Sequence, residues 1–182
     1  KLKNLKKSND KISAIVPIKL FSERLRLKNF RLINRKPLFY YMLKNLSNVE
    51  NISEIIVNSD AIKYKQKIQK ISKKIKFITR PKFLRSDKTN FNKILLHSLK
   101  NCVNNDVIQC HVTSPLVKKS TISQAVNNYF HFKKKNKISS LFSVSSIRKR
   151  FYDDKFKNIN FNEKDNKLSS KLVTKLYFDN SL

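Results

Sequence analysis

The chain has 182 residues, a length that suits one domain with a sizeable hydrophobic core. It carries 41 Lys and Arg against 12 Asp and Glu, a formal net charge of +29. Its longest uncharged apolar stretches, 12–18 and 37–43, are far shorter than the roughly 20 residues that span a bilayer, so we expect no membrane helix. The first eleven residues are basic but lack the apolar core of a secretory signal, which predicts a cytoplasmic protein.

The excess of positive charge is compatible with a polyanionic partner, but its distribution favours a solvated surface. The lysines fall in separate runs, at 1–11, 63–76 and 133–137. The abundant residues, Lys, Asn, Ile and Phe, have A/T-rich codons, whereas Gly and Trp are absent, so the base composition of the genome accounts for much of the charge. We therefore expect nucleic acid to bind only non-specifically, with an affinity that falls steeply with salt.

Short apolar runs alternate with segments of helical periodicity along the first 144 residues. The runs typical of buried strands are 12–17, 54–59, 75–79, 106–112 and 139–144. The spacing between them predicts helices that begin at Pro37 and cover 62–71, 91–102 and 122–130, with Asp87 and Thr89 as capping candidates for the third. This alternation predicts an α/β fold with a parallel sheet and helices on both faces.

The last part of the chain has a different character. Residues 146–170 are polar, carry charges of both signs and show no steady period, which predicts an irregular arm or loop, either flexible or used in a homodimer. The chain starts without Met and stops soon after an apolar run at 176–178. We therefore expect residues 1–182 to form a single domain that is truncated at its C-terminus.

Polar clusters follow three of the predicted strands, at 19–29, 80–90 and 111–115. Ligands of open parallel sheets bind at the carboxyl ends of the strands, so we expect these clusters to converge. Lys19, Arg24 and Lys28 can place positive charge on a triphosphate as charge shifts to a leaving pyrophosphate. Ser22 can donate to phosphate oxygens, and Asn29 can bond a ribose or a base edge. A merely solvated basic loop is the alternative.

Four blocks of sequence, in register across 12–144, resemble the acylneuraminate cytidylyltransferase family. The family's I-P-I-K, S-x-R, K-N and G-K-P-L correspond to Val16 to Lys19, Ser22 to Arg24, Lys28-Asn29 and Arg35 to Leu38. Its V-S-T-D strand end is similar to 57–60, and its R-P-x-x-L-x-x-D corresponds to 80–87. The block Thr113-Ser114-Pro115-Leu116 matches the end of Q-P-T-S-P-L, with His111 at the Gln position.

The resemblance implies a Rossmann-like sandwich of the nucleotide-diphospho-sugar transferase type that uses CTP to activate an acidic nine-carbon sugar as its CMP derivative. It also implies roles for individual residues. The CTP loop would contain Lys19, Ser22, Arg24, Lys28 and Asn29, with Arg24 and Lys28 as the catalytic cations; Arg80 and Asn90 would lie near the cytidine, and His111, Thr113 and Ser114 near the sugar acid.

Magnesium is expected as the cofactor from the same resemblance, with its carboxylate ligands beyond Leu182. The chain departs from the family in its phosphate loop, where glycines are usual, because it has no glycine at all. Arg35 stands where a glycine precedes the Lys-Pro-Leu block, and Leu20, Phe21 and Leu27 occupy the loop. A Cβ is unfavourable wherever φ must be positive, although Asn34 tolerates that region.

Three other functions are compatible with the residues. One is a synthetase for the eight-carbon acid Kdo, although Lys28-Asn29 favours the neuraminate side. Another is a non-catalytic basic α/β domain that binds nucleic acid, which predicts lysines on one face and no response to CTP. The third is a decayed homologue with an impaired phosphate loop.

Overall fold

The computed structural model describes residues 10–22, 25–136, 138–162 and 173–179. The chain divides into two compact units, residues 1–139 and 140–182. The prediction that residues 1–182 form one domain stays a prediction.

A four-stranded parallel sheet organises the first unit. The strands of this unit are β1 (Ile12–Ile18), β2 (Leu32–Ile33), β3 (Lys36–Pro37), β4 (Ile52–Ser59), β5 (Ile75–Thr79) and β6 (Val107–Gln109). Four of them pair in parallel in the order β5-β4-β1-β6, while β2 and β3 form a separate antiparallel hairpin. The order reverses direction next to β1, which is the Rossmann-like arrangement, so the predicted fold class is confirmed.

Helices cover the sheet and bury its apolar side chains. They are α1 (Leu38–Ser47), α2 (Lys65–Gln69), α3 (Phe91–Leu99) and α4 (Lys119–Lys134). Ile15 and Val16 of β1 are fully buried, because β1 pairs on both edges and is covered on its faces. Leu43 and Leu46 of α1 are fully buried as well. This fully buried strand gives the polar residues that follow it a fixed starting point.

Several helices begin or end at residues other than the predicted ones, because local backbone conformation and capping hydrogen bonds set their ends. Pro37 is extended, with φ −65° and ψ 149°, and precedes α1 as its N-cap. The predicted helix at 62–71 is a 3-10 turn at Ile62–Tyr64 followed by the five residues of α2. Asn90, and neither Asp87 nor Thr89, caps α3, because its side chain accepts a hydrogen bond from the Asn92 backbone N–H.

The second unit is built on an antiparallel pair, β7 (Val144–Ile147) with β8 (Leu176–Asp179). The prediction of a buried strand at 139–144 is wrong: Phe142 is 73% exposed, and the observed strand starts at Val144. Asn160 is buried and bonds to the backbone of Lys149 and Thr174 at 2.8 Å each, so the described part of the predicted arm has internal order. Residues 163–170 of that arm lie outside the described residues.

Across the described residues, no helix combines the length and apolar character needed to cross a membrane. The cytoplasmic location stays a prediction.

The turn of the β2–β3 hairpin uses non-glycine residues at positions where φ is positive. Its two loop residues, Asn34 and Arg35, have φ of 45° and 64°, the left-handed values that a two-residue type I′ turn requires. Asn tolerates this region, but Arg does not share that tolerance, so the glycine-free sequence places strain at Arg35.

Replacing Arg35 by Gly should raise the free energy of unfolding by about 0.5–1 kcal/mol, because relief of the left-handed strain exceeds the entropy that Gly adds to the unfolded chain. Urea unfolding followed by circular dichroism measures the change. Arg35→Ala, which keeps the Cβ, is the matched control and should give no gain. A gain of equal size in both variants would assign the effect to the lost side chain instead.

Candidate functional site

A cleft of about 400 Å³ opens at the carboxyl ends of β1, β5 and β6. That volume lies within the range of small-molecule sites, and the position is the switch point of the sheet. The polar residues that line the cleft are Lys19, Lys28, Asn29, Arg80, Ser86, Asp87, Thr89, His111 and Thr113. The three clusters predicted to converge therefore meet here.

The loop after β1 contributes Lys19, Lys28 and Asn29. Asn29 is 7% exposed, and its Nδ2 donates to the Lys19 carbonyl at 2.9 Å, which ties the two ends of the loop together. The loop is also fixed by the Leu20 backbone N–H, which donates to Asp60 Oδ1 at 2.8 Å. Leu27 adopts φ 55° and leads into the 3-10 turn at Lys28–Phe30, so the loop reaches its conformation with a non-glycine residue in the left-handed region.

Asn29 also presents an unused acceptor. Its Oδ1 is buried and has no hydrogen-bond partner in the described part of the chain. A buried acceptor without a partner is unfavourable by about 1–3 kcal/mol, so it is suited to a donor that arrives with a ligand. Hydroxyl and amino groups of a nucleoside are donors of that kind.

Arg80 forms the inner wall of the cleft and is only 3% exposed. Its Nε donates to Asn58 Oδ1 at 3.1 Å and its Nη2 donates to the Asn58 carbonyl at 2.9 Å. Burial lowers the pKa of the guanidinium, and the charge of Asp60 opposes that shift. Because an arginine retains its charge under physiological conditions, the wall of the cleft is positive.

His111 lies opposite the basic loop, at the end of the segment that follows β6. Its Nε2 is 2.7 Å from Gln109 Nε2, and its ring centroid is 5.9 Å from that of Phe91. Burial lowers the pKa of His111, and the charge of Lys28 lowers it further. Lys28 and His111 line the same cleft, so the loops after β1 and β6 face the same space.

The neighbouring Cys110 is a core residue. Burial raises the pKa of its thiol to about 12, so the thiol stays protonated at neutral pH. Cys110 is therefore a packing residue of the core beside the cleft.

Asp87 is the acidic member of the cleft and forms an ion pair with Lys19. Both side chains are partly exposed, so the pair adds little stability and can open when an anion competes for the lysine. The sequence predicts that the 80–90 cluster containing Asp87 reaches the site, but it assigns Asp87 itself only a capping role. The positions of Phe91 in the cleft wall and of Asn58 behind Arg80 were not predicted, because each depends on contacts between segments far apart in sequence.

Three other predicted site residues, all within the described ranges, do not line the cleft. Asn90 is exposed and its side chain is occupied in capping α3. Ser22 and Ser114 are partly buried, and neither belongs to the cleft wall. Arg24 lies outside the described residues, so its catalytic role stays a prediction.

A magnesium ion takes oxygen ligands, among them the carboxylate oxygens of Asp and Glu. Within the described ranges no group of three or more His, Cys, Asp or Glu side chains comes together. Asp87, the cleft's carboxylate, pairs with Lys19, and Asp60 accepts from Leu20. Among the described residues, therefore, no cluster of three or more potential ligands marks a magnesium site.

A basic cleft at the switch point of a Rossmann-like sheet defines a nucleotide-binding α/β protein. The chain belongs to the cytidylyltransferase family, whose model matches residues 13–180. The prediction of a nucleotidyltransferase of this family is thereby confirmed.

Two curated relatives come from strains of Campylobacter jejuni, and both are called pseudaminic acid cytidylyltransferase. They are 26% and 27% identical over 171 residues, which is 91% of this chain and 73% of each relative.

Solved structures share the fold. A CMP:2-keto-3-deoxy-manno-octonic acid synthetase complexed with CTP superposes with a TM-score of 0.57 at 17% identity, over 74% of this chain and 50% of that one. A 4-diphosphocytidyl-2C-methyl-D-erythritol synthase from Anaerococcus prevotii gives 0.59 at 16% identity, over 94% and 70%. This chain thus spans half the length of the first of these proteins.

The electrostatic coupling across the cleft is directly measurable. Lys28→Ala should raise the pKa of His111, because removal of a positive neighbour favours the imidazolium form. The measurement is an NMR titration of the His111 ring, assigned with a His111→Gln variant. Lys36→Ala, an exposed lysine outside the cleft, is the control and should leave the midpoint in place. An unchanged midpoint in Lys28→Ala would contradict the observed proximity.

Proposed function

We propose that this chain carries the nucleotide-binding site of a CTP-dependent enzyme that activates an acidic nonulosonic sugar, releasing pyrophosphate and giving the CMP-sugar. The observation that supports it most is the cleft itself, which three cations from two strand ends line together. Membership of the cytidylyltransferase family supports cytosine as the base of the bound nucleotide. The names of the two Campylobacter relatives make pseudaminic acid the leading candidate for the sugar.

In the proposed reaction, a hydroxyl of the sugar attacks the α-phosphorus of CTP. A new P–O bond forms, the bond to the β-phosphate breaks, and negative charge develops on the departing pyrophosphate. Lys28 lies where its ammonium can neutralise that charge, and Lys19 can join it once its pair with Asp87 opens. Arg24 is proposed as a further cation of the same loop.

The two sides of the cleft would divide the two substrates. Asn29 Oδ1 can accept from a nucleoside donor, and Arg80 supplies a buried positive charge to the same cleft. His111 and Thr113 also line the cleft and are proposed to contact the sugar acid. Neutral His111 can donate one hydrogen bond and accept another, whereas its protonated form would attract the carboxylate of the sugar.

A requirement for magnesium belongs to the proposal on the resemblance alone, because the described side chains do not gather a site for the ion. When bound, magnesium would supply charge neutralisation on phosphate oxygens. Cytoplasmic location and a homodimer are part of the same proposal, and both rest on the sequence.

The alternative acid is Kdo, since a synthetase for 2-keto-3-deoxy-manno-octonic acid shares the fold. The nonulosonic acid is preferred because the relatives named for it align over 91% of this chain. Pyrophosphate release from CTP in the presence of each acid in turn separates these candidates.

Nucleotide selectivity tests the proposal. CTP at about one hundred times its Kd should stabilise the chain by about 2.7 kcal/mol, because the ligand binds only the folded state. ATP and GTP at the same concentration should stabilise it much less, and each nucleotide is measured by thermal shift with and without magnesium. Equal shifts with all three nucleotides would mean electrostatic attraction without a cytidine site.

The contribution of the basic loop is tested at Lys28. Lys28→Ala should raise the Kd for CTP about ten- to a hundredfold, because a charge-assisted hydrogen bond contributes about 1.5–3 kcal/mol. Isothermal titration calorimetry measures the change, with Lys36→Ala as the matched control for the loss of one positive charge. A similar weakening in both variants would assign the effect to net charge.

A further inference from the structure

The buried arginine of the cleft is held by an uncharged partner. Arg80 bonds twice to Asn58, through the side-chain oxygen at 3.1 Å and the backbone carbonyl at 2.9 Å. Within the described part of the chain no carboxylate lies at ion-pair distance from the guanidinium. Buried arginines are usually ion-paired with an acid. Here the charge of Asp60 acts on Arg80 only from beyond ion-pair distance, so no ion pair among the described residues neutralises the guanidinium.

The orientation of Asn58 is fixed from behind. Its Nδ2 donates to Ser98 Oγ at 2.8 Å and to the Ile94 carbonyl at 3.3 Å, and it lies 3.2 Å from His97 Nδ1. The Ile94 carbonyl can only accept and Arg80 Nε can only donate, so the amide oxygen must face the arginine. Asn58 is also fully buried. Its contacts to α3 fix the side-chain amide, and the amide oxygen in turn fixes Arg80.

The guanidinium has more donors than Asn58 uses. An arginine has five N–H donors, and the two bonds to Asn58 occupy one on Nε and one on Nη2. Arg80 lines the cleft, so its remaining donors are available to a ligand there. An aspartate at position 58 would keep a good acceptor for Nε but would cancel the positive charge.

We propose that Asn58 is a positioning residue that fixes Arg80 through a neutral acceptor, so that the guanidinium keeps a positive charge that no ion pair among the described residues neutralises, for the anionic part of the bound nucleotide. This inference rests on the proposed function, because it takes CTP as the ligand. It assigns a binding consequence to a fully buried side chain that does not line the cleft.

The test compares Asn58→Asp with the unmodified chain by calorimetry, using CTP and uncharged cytidine. Asn58→Asp should raise the Kd for CTP by about tenfold or more, whereas the Kd for cytidine should change less than about threefold. A purely structural role would weaken both ligands together. Asn92→Asp is the matched control, because Asn92 is exposed on α3 and outside the cleft, and it should leave both affinities unchanged.

Arg80→Gln keeps the test decisive if Asn58→Asp does not fold. Arg80→Gln removes the guanidinium charge that Asn58→Asp would offset. It should raise the Kd for CTP by a similar factor and leave the Kd for cytidine nearly unchanged. Equal weakening of both ligands, or an unchanged Kd for CTP, would overturn the inference. If the unmodified chain binds no CTP, the proposed function fails with it; if it binds CTP and Asn58→Asp binds equally well, only the role of Asn58 is wrong.

Discussion

The parallel pairing of β1 with β4 on one side and β6 on the other is the constraint on which the site depends. It places the carboxyl end of β1 beside the end of β6, so Lys28 and His111 share a cleft although they are distant in sequence. The pairing is supported by apolar burial, since Ile15 and Val16 are within 1% of full burial. A slip in the register of β1 would turn these side chains away from the core and displace the basic loop.

Positive charge in the cleft is organised by how each cation is held. Lys19 is paired with Asp87 at the partly exposed rim, where an incoming phosphate can replace the carboxylate. Arg80 is buried and bonded to an amide, so no partner of opposite charge has to be displaced. Lys19 can therefore exchange Asp87 for a phosphate, whereas Arg80 can bind an anion without first losing an ion-pair partner. Such an arrangement of charges before the ligand arrives is electrostatic preorganisation.

Much of the fold and part of the site follow from the sequence, because both depend on local patterns. The continuous β-branched run of β1 and the helical spacing of α3 identify buried elements directly. The convergence of Lys19, Lys28 and His111 follows from the rule that strand ends of a parallel sheet meet. The roles of Asn58 and Asp87 could not be predicted, because they depend on contacts to Arg80 and Lys19 that only the folded chain creates. The prediction of a buried strand at 139–144 was wrong for a related reason. Phe142 is exposed, because an apolar run alone does not determine which segments pack against it.

The central claim is that one cleft between the loops after β1 and β6 receives the nucleotide. Titration of the isotope-labelled chain with CTP, followed by backbone amide NMR shifts, tests it most directly. We expect the saturating shifts to cluster at 19–29, 80–87 and 110–113, with a common midpoint. Shifts spread over the lysine-rich surface of 63–76, or confined to only one of the two loops, would contradict the account.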